Sequence, residues 1–417
     1  MIYIYMEIIT PGNDFFKFIE DNINEDTSKL RLKFHNKNTT FNLPLALIQI
    51  ECRKKCVHKL PSFLSNRLAI FPDVVASEQA SHEAVANYHS VLAQGYERIL
   101  DMTAGLGIDS LAFAKAGYNV VSCELNDNKA ACLDYNKNIL NLNSLKVENT
   151  DSLVYLKETD NFFDMIFIDP ARRGEGNSRV YNFKDCRPDI IQNINLLLSK
   201  AKSVMIKASP LLDISQTLKD IPHVKSIRAI SVHGECKEIL IEASAQQGQN
   251  TTDDILAEAI DLANDSTIFS KFSYIINPSK KQTENKDNIS NNLYANKENI
   301  VAGSYLYEPN ATMMKLAPWK ELSTRFPSLK KFSDSTHLFV SEELLPDFPG
   351  RKLLIKDVPD KGKLKNLKNA RLNVVTRNYP ISADELRKKL NLKEGSDDFL
   401  YAGKIKSIPV LILATRI

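Results

Sequence analysis

Residues 99–110 read Ile-Leu-Asp-Met-Thr-Ala-Gly-Leu-Gly-Ile-Asp-Ser, an apolar run that turns through two glycines into residues able to open a helix. Gly105 and Gly107 permit a tight turn and a close approach of backbone to ligand, while the first N–H groups of the helix remain free to donate. A loop of this kind suits a nucleotide-like cofactor. The third glycine of a dinucleotide fingerprint is absent, because Ser110 and Leu111 stand in its neighbourhood. Glu124 lies nineteen residues past Gly105 and ends the next β-rich run, followed by Leu125. There a carboxylate can accept both hydroxyls of a ribose. Asp151 and Ser152 follow the third run, where a carboxylate can take the exocyclic amine of adenine.

The fourth run closes as Ile166-Phe167-Ile168-Asp169-Pro170-Ala171-Arg172-Arg173, a polar element that hydride transfer does not call for. Asp169 can accept a hydrogen bond from an amine, helped by the carbonyls around Pro170. Arg172 and Arg173 suit a phosphate of a substrate, or equally pair with Glu175 or Asp185. Lys207, ending the fifth run, either contacts the substrate or packs its stem at a strand end. Gln79 and Glu83 are four apart on an expected helix, where they close the cofactor pocket or form a solvated face. His233 and His337 read as packed histidines. Cys52 and Cys56 with His58 lack a second ligand pair at finger or ribbon spacing, so no metal site is expected.

These residues need a frame. β-rich runs at Arg98–Met102, Asn119–Glu124, Lys146–Asn149, Asp164–Asp169, Ser203–Ala208, Lys225–His233 and Lys237–Ala243 alternate with helical ones. The pattern predicts an α/β fold with a Rossmann-like, doubly wound, seven-stranded sheet whose last two strands, joined by Gly234-Glu235-Cys236, form an antiparallel hairpin at the edge. Residues 1–95 read as a helical N-terminal region, with amphipathic stretches at Asp14–Asn22 and Leu45–Leu60, and 96–246 as the core. Residues 247–340 form a connecting segment, with a helix expected at Asp253–Asn264, a polar linker at 277–299 and a small α+β subdomain. Residues 341–417 form a small α+β C-terminal domain in which Ser382 and Glu385 make a capping box.

The combination of Asp-x-Thr-Ala-Gly-x-Gly, the acidic strand end at Glu124, Asp151-Ser152 and Asp169-Pro170-Ala171-Arg172 resembles the class I S-adenosylmethionine-dependent methyltransferases over about 97–244. The resemblance implies S-adenosyl-L-methionine as cofactor. Asp101, Thr103, Gly105 and Gly107 would surround its methionine part, Glu124 its ribose, and Asp151 with Ser152 its adenine. Amino-directed members carry an aromatic residue after the Asp-Pro element; here Ala171-Arg172 replaces it, leaving Tyr181 or Phe183 to offer a stacking face. The same loop also resembles RNA uracil-C5 methyltransferases, whose cysteine nucleophile follows the fifth strand. This chain has Lys207-Ala208-Ser209-Pro210 there, and Cys186 and Cys236 are the only nearby core thiols, so methylation of nitrogen or oxygen is preferred.

Beyond the core, Phe71-Pro72, residues 77–86, Tyr305 to Asn310, Ser335-Thr336-His337-Leu338 and Thr376 to Ser382 look like bacterial methyltransferases with a C-terminal THUMP-like domain, a class regarded as RNA modifiers. That likeness implies methyl transfer to a base nitrogen of tRNA or rRNA (EC 2.1.1.-), with Asp169, Pro170 and Arg172 as catalytic residues and Arg172, Arg173 and Lys207 as substrate-binding residues. Asp101, Thr103, Ala104, Gly105, Gly107, Asp109, Glu124, Leu125, Asp151, Ser152, Asp169 and Gln79 would bind the cofactor. A non-catalytic binding factor, or a methyltransferase of protein or small molecules, are the alternative readings.

Composition sets the outer bounds. The chain has 417 residues, 43% hydrophobic and 25% charged, ordinary values for a multidomain globular protein. No apolar run reaches the length of a membrane span, and the six cysteines follow no framework spacing, which fits a reducing cytoplasm. From Pro346 onward, sixteen Lys and Arg stand against eight Asp and Glu, whereas the whole chain is close to balanced at 54 against 51. A basic end on a mildly acidic body suits a polyanion, so RNA is the expected partner, with neither membrane nor metal.

Overall fold

The computed structural model describes residues 11–35, 37–172, 183–244, 254–278, 294–360 and 362–417. The chain divides into two compact units. The first comprises residues 1–233, 237–255 and 262–269, and the second the remainder.

In the first unit, short helices with well-formed caps precede the sheet. Asp26 accepts the N–H groups of Ser28 and Lys29 at the start of Thr27–Lys33, and Asn42 caps Leu43–Cys56 with Pro44 in its first turn. Phe15, Phe16, Ile19, Leu45 and Ile50 bury together with Cys132 of the helix Asp127–Ile139. Each such side chain contributes about 1.5–3 kcal/mol on burial. Asn136 of that helix accepts the Ile70 N–H and donates to the Ile70 carbonyl, fixing the N-terminal helices to the core.

Seven strands build the sheet of this unit: β1 (Arg98–Asp101), β2 (Asn119–Cys123), β3 (Leu145–Glu148), β4 (Phe163–Ile168), and, after two short strands β5 (Ala171–Arg172) and β6 (Cys186–Arg187), β7 (Ala201–Ala208), β8 (Val224–Val232) and β9 (Glu235–Ser244). Their order is β8-β9-β7-β4-β1-β2-β3. The pairs β7–β4, β4–β1, β1–β2 and β2–β3 are parallel, and β9 runs antiparallel to β7. The link between β8 and β9 passes through His233 at φ 54° and Gly234 at φ 73°, the two left-handed residues of a tight hairpin turn. Because β1, β2, β3, β4 and β7 are parallel, their carboxyl ends open on one edge, where the loops of interest gather.

Two expectations need correction. Residues 255–262 are not helical: β10 (Ile255–Leu262) and β11 (Ile268–Ile276) form a hairpin, so the chain has strands beyond the seven expected. Ala, Glu and Leu favour a helix at 255–262, but the segment is buried along nearly its whole length, and burial overrides that weak preference. Gln79 and Glu83 do not share a helix. Val74–Gln79 ends before Ala80, and a second helix, Glu83–Leu92, starts after His82, whose ring accepts the Ala84 N–H. Glu83 accepts the N–H of Ser62 and does not line the cleft.

The second unit holds a mixed sheet of β12 (Tyr305–Pro309), β13 (Lys330–Lys331), β14 (Phe339–Ser341), β15 (Gly350–Asp357), β16 (Asn373–Thr376), β17 (Asp398–Ile405) and β18 (Ile408–Arg416), in the order β13-β14-β12-β15-β18-β17-β16. Gly350 packs so closely on the Glu308 carbonyl that a Cβ would stand 2.1 Å from it. Glu308 accepts from Arg351, Arg377 and the buried Tyr401 hydroxyl, tying β12 to β15 and β17. The Ser382–Glu385 capping box opens the helix Ala383–Leu390.

Candidate active site

A cleft of about 1290 Å³ opens over the carboxyl ends of β1 to β4 and β7. It exceeds the 300–1,000 Å³ typical of one small ligand, which leaves room for two reactants. Thr103, Ala104, Gly105, Gly107 and Asp109 line it from the loop after β1, Glu124 and Leu125 from the end of β2, and Asp151 and Ser152 from the end of β3. Asp169 and Pro170 line it from the end of β4, Lys207 from β7, and Gln79 from the N-terminal helices.

The glycine loop is held in place from below and from the side. Asp101 is buried and does not line the cleft; its carboxylate accepts the Thr103 N–H at 3.0 Å and the Ser110 hydroxyl at 2.5 Å. Burial pushes its carboxyl up to about 7, against the pull of those two donors. Gly105 and Gly107 both adopt the left-handed region, at φ 57° and 83°. At Gly107 a Cβ would also stand 2.2 Å from Leu133 Cδ1, so this residue is required by packing as well as by conformation. Glu124 Oε2 accepts the Gly105 N–H at 2.8 Å and Oε1 the Asn126 N–H at 2.7 Å, which orients the carboxylate on the cleft wall.

This wall fits an adenosyl cofactor. Glu124 presents an oriented carboxylate for ribose hydroxyls, and Leu125 beside it is 71% exposed, an apolar surface for a purine face. Asp151 Oδ1 caps the helix Ser152–Glu158 through Leu153 and Val154, while Oδ2 has no partner among the described residues and can accept an amine.

Across the cleft, Asp169 receives Lys207 Nζ at 2.6 Å on Oδ2, and its N–H donates to the Thr103 hydroxyl at 2.7 Å. Burial raises the Asp169 carboxyl and Lys207 opposes the rise. Burial also disfavours the Lys207 ammonium, but Asp169, Asp109 and Glu238 outweigh that and hold it above the ordinary range. Beyond Pro170, β5 pairs antiparallel with β6, so that Arg187 stands opposite Ala171 and joins the cleft lining. The side chain of Arg172, together with Arg173, Glu175 and Tyr181, lies outside the described residues.

The sequence reading did not select three residues here: Ser81 and Glu238, which line the cleft, and His89, which is buried behind them. Ser81 and Asp109 share a hydrogen bond, and Asp109 and Glu238 flank His89. Ser81 belongs to the flanking motif at 77–86, the only signal that could have found any of them. Asp109 therefore spends its carboxylate on Ser81 and His89 as well as bordering the cleft. Cys186 is buried within β6, and neither it nor Cys236 lines the cleft. Among the described residues, no group of three His, Cys, Asp or Glu could hold a metal ion, and no helix is long and apolar enough to cross a membrane.

Fold and cleft together define a class I methyltransferase core followed by further α+β domains. Residues 305–349 match the ferredoxin-like domain family and residues 350–416 the THUMP domain-like family. Over 99% of its length the chain superposes on 98% of a presumed methyltransferase from Porphyromonas gingivalis W83, with a TM-score of 0.80 and 25% identity. It is 32% identical over 78 residues, 19% of its length, to an uncharacterized RNA methyltransferase of Mycoplasma mobile. It is 37% identical over 82 residues, 17% of its length, to the ribosomal RNA small subunit methyltransferase J of Francisella tularensis subsp. novicida. The chain spans 22% of the first of these curated relatives and 33% of the second. This is a methyltransferase-fold protein that carries ferredoxin-like and THUMP-like domains.

Proposed function

We propose that the chain is an S-adenosyl-L-methionine-dependent methyltransferase of RNA in the cytoplasm, acting on a base nitrogen of tRNA or rRNA. The observation that carries this reading is one cleft with two unlike carboxylates: Glu124, oriented by backbone N–H groups at the end of β2, and Asp169, held by Lys207 at the end of β4. The matched relatives named as RNA methyltransferases, the THUMP-like domain and the basic C-terminal end support RNA as substrate.

The cofactor supplies an electrophilic methyl group on a sulfonium. Transfer is an in-line displacement, so the protein must chiefly align a nucleophile and keep its lone pair available. Glu124 takes the ribose hydroxyls, Leu125 and Leu153 pack the purine, and Asp151 with Ser152 meets its edge. The loop from Thr103 to Gly107 borders the remaining part, and Gln79 borders the cleft from the other side. Asp169 Oδ1 has no partner among the described residues and accepts one hydrogen of a base amine, which orients the nitrogen. Pro170 fixes the turn that follows, and Arg187, which lines the cleft, meets a phosphate of the target nucleotide; the phosphate role expected of Arg172 and Arg173 falls on side chains outside the described residues. The working division is a helical region at 1–95, a catalytic core at 96–246, a connecting segment at 247–340 and a THUMP-like domain at 341–417 that grips the RNA.

Replacing Asp169 by Ala tests the reading. Methyl transfer should fall by roughly two to four orders of magnitude, the range of a positioned acid–base or acceptor group, while fold and cofactor affinity persist. A variant that transfers methyl groups at the wild-type rate contradicts it.

A further inference from the structure

The Asp169–Lys207 pair of the cleft continues into a run of side chains, through Ser81, Asp109, His89 and Glu238, whose last members the proposed reaction does not yet use. His89, in the helix Glu83–Leu92, is fully buried with its ring centroid 5.2 Å from that of Phe167. Its Nδ1 lies 2.8 Å from Asp109 Oδ1 and its Nε2 2.6 Å from Glu238 Oε1. An ionised carboxylate only accepts, so each ring nitrogen must carry a hydrogen, and the ring is an imidazolium. The chain of bonds continues from Asp109. Ser81 Oγ donates to Asp109 Oδ2 and accepts from Lys207 Nζ at 2.8 Å, and the same ammonium donates to Asp169 Oδ2 at 2.6 Å. Every link has one assignment of donor and acceptor. Read from Glu238 to Asp169, the charges alternate: anion, cation, anion, neutral hydroxyl, cation, anion.

We propose that His89 is a positioning residue for methyl transfer, a buried cation that satisfies Asp109 and Glu238 so that Lys207 remains committed to Asp169. This rests on reading the cleft as a methyl-transfer site. Without the imidazolium, Asp109 and Glu238 lose the buried cation that bridges them, within reach of the field of Lys207. A buried carboxylate without a counter-charge attracts the nearest cation or takes up a proton. Either response loosens the grip on Asp169, whose orientation sets the nucleophile. Six separate segments contribute: the Ala80–Ser81 break, the helix Glu83–Leu92, the helix Ile108–Lys115, β7, β9 and the end of β4. Such an arrangement fixes the carboxyl end of β4 to its neighbours through charge rather than through packing alone.

The test uses the full chain. Nitrogen-15 spectra of the imidazole groups at pH 7.5 should show both nitrogens of His89 protonated; a singly protonated ring overturns the proposal and needs no variant that folds. In methyl transfer to RNA, His89→Gln should lower kcat roughly a hundredfold, the cost of a misplaced reacting group, with the KM for cofactor changed by less than about threefold. The charge-balanced pair His89→Gln with Glu238→Gln should recover at least about tenfold of that loss, since removing one anion with one cation restores the balance. A purely structural role predicts a double variant no better than the single one, and that outcome overturns the proposal. If the wild-type protein itself transfers no methyl group to RNA, the functional reading falls while the nitrogen spectra still decide the state of His89.

Discussion

Lys207 Nζ stands 2.6 Å from Asp169 Oδ2, joining the carboxyl ends of the adjacent parallel strands β7 and β4. The pair lies on one wall of the cleft, and the bond from Gly105 to Glu124 on another. Adjacent strands ending in opposite charges fix a carboxylate in the cleft, and in the proposed reaction that carboxylate is the oriented acceptor that a displacement needs.

Glu124 should dominate cofactor affinity. Its replacement by Ala removes an oriented carboxylate that would serve two ribose hydroxyls and leaves the Gly105 N–H without its acceptor. At about 1.5–3 kcal/mol for each charged hydrogen bond, the dissociation constant for S-adenosylhomocysteine should rise at least roughly tenfold. Isothermal titration calorimetry on the two proteins measures it.

Gly107→Ala should destabilise the first unit. The new Cβ would stand 2.2 Å from Leu133 Cδ1 at a φ of 83°. Overpacking costs about 1–3 kcal/mol, and the left-handed backbone adds to that. Urea unfolding should show a lower midpoint, and pairing the change with Leu133→Ala should relieve the clash but keep the backbone cost.

His89 makes stability pH-dependent in a stated direction. Burial opposes its charge, but Glu238 and Asp109 raise the folded-state pKa from 6.5 to about 9. A raised pKa means that the folded state binds the proton more tightly, so the stabilisation is complete below pH 6.5 and is lost as the pH rises through 9. At 1.36 kcal/mol for each pH unit, the loss between those limits is of the order of 3 kcal/mol. Denaturant midpoints measured across that window should fall for the wild type and change less for His89→Gln.

The basic end should hold RNA through its phosphates. Lys365 and Lys368 are exposed, and no ion pair involves either among the described residues. Lys363, by contrast, is committed to Asp357, and Lys361 lies outside the described residues. Replacing Lys365 and Lys368 by Ala should weaken RNA binding and reduce the salt slope by about 0.7–0.9 for each lost contact. Affinity for S-adenosylhomocysteine should not change. Filter binding at several salt concentrations checks both.

The glycine turn and the acidic strand end that line the cleft were largely legible in the sequence because their parts are local. A β-rich run, a glycine turn and an acidic strand end each occupy a few consecutive residues, and parallel topology brings such loops to one edge. The segment 255–262 misled because its Ala, Glu and Leu favour a helix when read locally, while its strand state depends on burial by residues distant in sequence. The continuity expected from Gln79 to Glu83 failed for a similar reason. Ala80 and Ser81 break the helix and free Ser81 to join Lys207, a partner 126 residues away. His89 carries no local signal at all: in Glu-Ala-Val-Ala-Asn-Tyr-His-Ser it reads as one more core position, and its two carboxylates come from a helix and a strand that only the fold brings together.

The most direct measurement of the central claim is transfer of a labelled methyl group. The purified chain would be incubated with methyl-labelled S-adenosylmethionine and total RNA from a strain lacking this gene, and the RNA digested to nucleosides. Label should appear on a single modified nucleoside, at a base nitrogen, and fall by roughly two to four orders of magnitude with Asp169→Ala. RNA that stays unlabelled, while calorimetry shows the same protein binding S-adenosylhomocysteine, would contradict it and leave a cofactor-binding protein that does not methylate RNA.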